Sequence, residues 1–258
     1  MGHMRIGTLP ATKAWREVVR LLMEGAGAAM VAEATLRAAQ RALANVEKDA
    51  GFREAVHLMI QLAVAGTTKD AAGHLAGVGV ELAEGGSVAD VAAALTEALD
   101  AKMDGKGRRS DWGEMARGAL VATVSEYLTA QGAPLFEAKR EELTATLAPL
   151  REDFAGFGRK FFGEFTNKVL NYFLSKTLGA QVGQGFVTTN QLALFKDGMR
   201  RHCTEASLIV EDFCGGWLAK KQWQNGGDIS REDAGKLGWN AVRKMQLELE
   251  ERNKGNGS

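Results

Sequence analysis

An all-α fold, an irregular multi-helix bundle of about ten helices, is what this chain predicts, and three observations carry the prediction. Apolar residues recur at spacings of three and four along most of the 258 residues, the period of a helix with one buried face. Only three prolines occur, while alanine, the strongest helix former, is abundant. Helix starts are marked by a hydroxyl three residues before an acid: Thr67 and Asp70, Ser87 and Asp90, Ser230 and Asp233. In that pattern the hydroxyl accepts from an exposed amide, and the acid lies near the positive end of the helix. Asp111 before Glu114 is a looser version.

The elements follow in order. Trp15, Val18, Val19, Leu22 and Met23 form one stripe, predicting a helix over 12–24. Met30, Ala34, Leu36, Ala39, Leu43 and Val46 predict a second over 27–48. Phe52, Val56, Met59, Ile60 and Ala63 predict a third over 52–65, opening after Gly51. The marked starts place helices over 69–84, 88–103 and 112–130, and apolar spacing adds 134–148 and 150–178. A long segment over 190–223, with Gly198 or the Gly215-Gly216 pair as candidate breaks, and a last helix over 231–251 complete the set. Gln181 to Thr189 is the one stretch of extended character, and its glycines read as a loop. The glycine-rich, charged segment from Asp104 to Ser110 reads as an exposed loop.

Composition shifts near residue 133, from small residues to aromatics. Two packed helical parts are therefore expected, alanine-rich over 1–132 and aromatic and basic over 133–252, with 253–258 a frayed tail. Met1 to His3 reads as an expression scar rather than a secretory signal. Formal net charge is zero, which excludes a global field drawing the chain to nucleic acid or anionic lipid; such binding needs a local patch. No apolar run is long enough to predict a membrane span. Two cysteines, Cys203 and Cys214, are too few for a disulfide framework and place the chain in a reducing compartment, read as cytoplasmic.

The stretch from Phe154 to Lys176, FAGFGRKFFGEFTNKVLNYFLSK, is the most distinctive. Phe154, Phe157, Phe161, Phe165, Val169 and Tyr172 recur at helical spacing, with Phe162 and Phe173 widening the face. A central core helix is the first reading; a partner interface and insertion into a membrane surface are the others. Between Phe154 and His202 seven bases, Arg159, Lys160, Lys168, Lys176, Lys196, Arg200 and Arg201, stand against two acids, Glu164 and Asp197. Gathered on one face, and joined by Lys106, Arg108 and Arg109, they would bind phosphate; scattered, they are a solvated surface. No helix-turn-helix, zinc-finger or RNP-like signature accompanies them.

The remaining motifs point away from catalysis. Cys203 and Cys214 share a helix face with Val210 and Trp217, which makes them buried structural thiols. His202 points about 100° from Cys203 on a helix and is poorly placed to activate it. His57, among apolar residues, reads as a core histidine. Gly25-Ala-Gly27 imitates a dinucleotide fingerprint without the strand or the third glycine it needs. Paired carboxylates such as Glu211-Asp212 read as helix surface. No catalytic residue, cofactor site or metal site is assigned.

Near the end, Trp217, Trp223 and Trp239 cluster in sequence, and Trp239, Arg243 and Lys244 form a mixed aromatic and basic side that can stack on a base or grip a peptide. The chain is thus expected to be a non-catalytic helical interaction module or a subunit of a larger assembly, its partner another protein or a second copy. Nucleic-acid binding through residues 159–201 and Trp239, Arg243 and Lys244 is the alternative. A membrane-active helix or a cryptic helical enzyme stands behind both.

Overall fold

Eleven α-helices account for most of the chain in the computed structural model, which describes residues 13–83, 85–104, 109–182, 189–225 and 229–255. They are α1 (Lys13–Met23), α2 (Ala28–Leu43), α3 (Ala50–Ala65), α4 (Ala71–Gly77), α5 (Val88–Met103), α6 (Asp111–Ala130), α7 (Leu143–Glu152), α8 (Phe154–Val182), α9 (Thr189–Ala206), α10 (Leu208–Asn225) and α11 (Arg231–Gly255). Single 3-10 turns at Val46–Lys48 and Arg140–Glu142 precede α3 and α7. An isolated β-bridge joins Gly85 and Lys139. The fold is an all-α multi-helix bundle.

α8 runs through its centre, because its aromatic stripe is what the neighbours pack around. Phe157, Phe161 and Phe162 are fully buried, and Phe154, Phe165 and Phe173 nearly so. Each buried phenylalanine contributes up to about 3 kcal/mol through removal from water. The rings reach several helices: Phe165 lies 4.9 Å from Phe52 of α3 and 6.4 Å from Trp112 of α6, and Phe173 lies 5.3 Å from Trp15 of α1. Small residues on the surrounding helices leave room for them. Helices from both sides of residue 132 share this core.

Local chemistry explains where the elements differ from expectation. Ser87 and Asp90 form the predicted capping box on α5, and Ser230 accepts from the Asp233 amide on α11. On α4 the cap is Asp70 itself, which accepts from the Gly73 amide, and on α6 it is Ser110 rather than Asp111. α4 stops at Gly77, short of the expected residue 84, where Gly79 turns the chain with φ +90°. The expected helix over 134–148 starts only at Leu143, because the carbonyls of Pro134 and Leu135 are committed to the first amides of α5. Asp153, accepting from Gly156, ends α7 and opens α8. The expected continuous helix over 190–223 breaks at Ser207, not at a glycine. There the hydroxyl donates to the Thr204 carbonyl, an alternative to the helical ladder. Gly198 and Gly215 instead sit close to Ala28 of α2 and Ala155 of α8. α11 continues to Gly255, past the expected end at 251. The expected loops fall largely outside the described residues, at 105–108 and 183–188, as do Met1 to His3.

Candidate functional site

α8 buries its aromatic face and leaves the opposite face, with Arg159, Lys160 and Glu164, toward solvent. The break at Ser207 swings α9 and α10 around that face, and α6 closes the other side. The result is a cleft of about 470 Å³. Gly156 and Gly163 of α8 and the hydroxyls of Thr123, Thr204 and Ser207 give it a small, polar lining.

Its charges are mixed and largely paired within the protein. Arg159, Lys160 and Arg200 face it, but so do Glu126, Asp153, Glu164 and Glu211. Arg159 donates to Glu211 at 2.9 Å, linking α8 to α10. The Tyr127 hydroxyl donates to Asp153 at 2.7 Å. Burial, and then the hydrogen bond to Asp153, push that phenol well above its ordinary range, so it stays protonated. Lys160 places its ammonium 5.7 Å from the centre of the Tyr127 ring, a cation–π arrangement.

The predicted binding residues divide as follows. Arg159, Lys160 and Arg200 come together in the cleft. Lys168 pairs with Glu164 at 3.2 Å, over Gly118 of α6. Lys196 and Arg201 are exposed on α9 and line no part of the cleft. The side chain of Lys176 lies outside the described residues, as does that of Trp223. Trp239 is half-buried against the core, Arg243 is exposed, and Lys244 sits 5.4 Å over the Phe213 ring. Arg109 stands apart, among Asp100, Asp104 and Glu114; Lys106 and Arg108 fall outside the described residues. The excess of bases from 154 to 202 exists along the chain but not in the cleft, because α6, α10 and the α8 cap contribute acids that a local count omits.

A second feature was not legible as a site. Leu208, Ile209, Asp212 and Phe213 of α10 and Lys244 and Glu248 of α11 line an open depression of about 600 Å³. Leu208 and Ile209 are 48% and 40% exposed, and Leu247, beside Glu248 on α11, is 51% exposed. The signal was present but faint. The buried stripe of α10 is Val210, Cys214 and Leu218, and Leu208, Ile209 and Phe213 lie off it.

Cys203 and Cys214 are both fully buried free thiols, each pushed up to about 12 by that burial. His57 is buried on α3 and His202 is half-buried on α9. Among the described residues no helix is long and apolar enough to cross a membrane. No protein-family model matches the chain, and no curated protein or solved structure matches it either.

Proposed function

We propose that this chain is a non-catalytic helical interaction module, a subunit of a larger assembly, that docks a protein partner on the α10–α11 face and works in the reducing cytoplasm. The observation that carries the reading is the depression in which Leu208, Ile209 and Phe213 line the wall beside Asp212, Lys244 and Glu248. Apolar surface rimmed by polar residues is the common anatomy of a protein-docking site. The two free, buried thiols support the compartment. The cleft lined by Arg159, Lys160 and Arg200 supports nucleic-acid binding poorly, since four carboxylates share it and repel a phosphate backbone.

The test compares wild type with Ile209→Glu as bait in extract of the native host. Ile209 is 40% exposed, so the change spares the core. A partner held by wild type and depleted at least about tenfold with the variant is the expected result. Identical profiles, with wild type monomeric at every concentration, would overturn the reading.

A further inference from the structure

The segment between α6 and α7 exposes two large apolar side chains. Phe136 is 66% exposed and the adjacent Leu135 is 45% exposed. Isolated exposed apolar residues are ordinary, but this pair sits on backbone that is pinned. The amides of Val88 and Ala89, at the start of α5, donate to Pro134 and Leu135 at 3.0 and 3.1 Å, and Gly86 donates to Ala138 at 2.9 Å. Arg140 reaches back to the Leu82 carbonyl at 3.3 Å. Between these anchors Glu137 takes φ 60°, a conformation that costs a residue with a side chain about 1 kcal/mol or more. The chain thus holds an aromatic side chain outward on a restrained, strained loop. A group fixed in this way loses little conformational freedom on docking.

We infer that the partner on the α10–α11 face is a second copy of this chain, whose Leu135-Phe136 loop inserts into the depression; this rests on the interaction reading above. Three observations select this occupant. An exposed phenylalanine and an open depression lined in part by Leu208, Ile209 and Phe213 are both present on one chain. The depression, at about 600 Å³, accommodates a phenylalanine together with its leucine neighbour. Each feature carries both signs, so opposite charges are available across the contact: Glu137 and Lys139 follow Phe136 on the loop, and Asp212, Lys244 and Glu248 line the depression. Within one copy Phe136 is 66% exposed, so a copy's own depression does not cover it. The contact joins two different surfaces, which builds either a closed ring or an open array.

Sedimentation of wild type, Phe136→Ala and Ile209→Glu, alone and mixed, tests this. Phe136→Ala keeps the depression and loses the insert; Ile209→Glu keeps the insert and loses the depression. Wild type is expected to self-associate with concentration, and each variant alone to associate about 30-fold more weakly. Mixing the two variants is expected to restore a one-to-one complex, because one intact insert then meets one intact depression. Both positions are exposed, and unchanged circular dichroism and melting confirm folding. Wild-type association in Phe136→Ala, or no complex in the mixture, overturns the inference. Monomeric wild type also overturns it; if the bait comparison above still yields a partner lost with Ile209→Glu, the interaction reading survives alone, and if it yields none, both fall.

Discussion

Gly51 of α3 and Gly113 of α6 bring two helix backbones into contact: a Cβ on Gly51 would lie 2.6 Å from the Gly113 Cα, and one on Gly113 would lie 2.7 Å from the Met103 sulfur. The approach lets Phe52, just after Gly51, and Trp112, just before Gly113, pack on Phe165. α6 carries its own control. A Cβ on Gly118 would meet only the Lys168 side chain, at 3.5 Å. Gly113→Ala is therefore expected to destabilise by about 1–2 kcal/mol, overpacking outweighing the gain in helix propensity. Gly118→Ala is expected to stabilise by about 0.5–1 kcal/mol. Urea unfolding of both variants checks the opposite signs.

The buried carboxylate of Glu54 on α3 receives Nε and Nη2 of Arg231 at 2.6 and 2.9 Å. This two-point ion pair fastens the start of α11 to the core. The Glu54 side chain is 6% exposed but that of Arg231 is 46% exposed, so water screens the pair from one side. Arg231→Ala, which strands the carboxylate, is expected to cost about 2 kcal/mol, below the 3–5 of a fully buried pair. A cycle with Glu54→Gln should give a coupling of about 1 kcal/mol or more. Additive effects would show that the pair contributes nothing specific.

How much of this was legible in the sequence follows from the range of the interactions involved. The all-α class, the Ser87 and Ser230 starts and the aromatic stripe of α8 rest on spacings of three and four, which one segment displays by itself. The stop of α4 at Gly77 and the late start of α7 depend on Gly79 taking a positive φ and on α5 claiming the carbonyls of Pro134 and Leu135; no local pattern announces the latter. The sequence offers Gly198 and Gly215-Gly216 as breaks of the long segment, but Gly198 and Gly215 mark close helix contacts and the break falls at Ser207. The cleft shows the same limit. Arg159 counts toward the local excess of bases along the chain, yet its partner, Glu211, is 52 residues away. The exposed pairs Leu135-Phe136 and Leu208-Ile209 were unreadable for a different reason, since apolar residues near a helix end look the same buried or exposed until the neighbouring helices are placed.

Cys203 and Cys214 give a direct probe of the core. Each is fully buried and its thiol pushed from about 9 to about 12 by that burial. Three pH units remove about a thousandfold of the reactive thiolate at neutral pH, before access is considered. Reaction with an aromatic disulfide reagent is expected to be at least about a thousandfold slower than for a small free thiol. It should accelerate in step with unfolding as urea is added. Rapid modification of either cysteine in native buffer would contradict the packing of α9 and α10 on α8.

His74 supplies the pH-dependent element. Its Nε2 lies 2.8 Å from the Gln61 side-chain oxygen, and the Gln61 amide in turn donates to the Ile229 carbonyl at 3.3 Å. With its amide nitrogen so engaged, Gln61 offers its oxygen, and His74 donates through Nε2–H. The chain ties α4 and α3 to the segment entering α11. Burial holds the imidazole below its ordinary 6.5. In the window between the folded value and 6.5 the unfolded chain binds the proton and the folded chain does not. Stability is therefore fully present above about pH 6.5 and falls as pH drops through that window, by no more than about 1.4 kcal/mol per pH unit for one group. Glu232, held down chiefly by Lys236, and Asp233, held down chiefly by Lys221, act in the same direction but only below their ordinary 4.5 and 3.8. Urea midpoints of wild type and His74→Gln, measured from about pH 7.5 to about pH 5, isolate the histidine. The variant is expected to show a shallower decline over that span, and the two curves should run parallel above about pH 7. Equal slopes below pH 6.5 would mean that the imidazole gains its proton as readily in the folded chain as in the unfolded one, and that burial beside Gln61 does not oppose it.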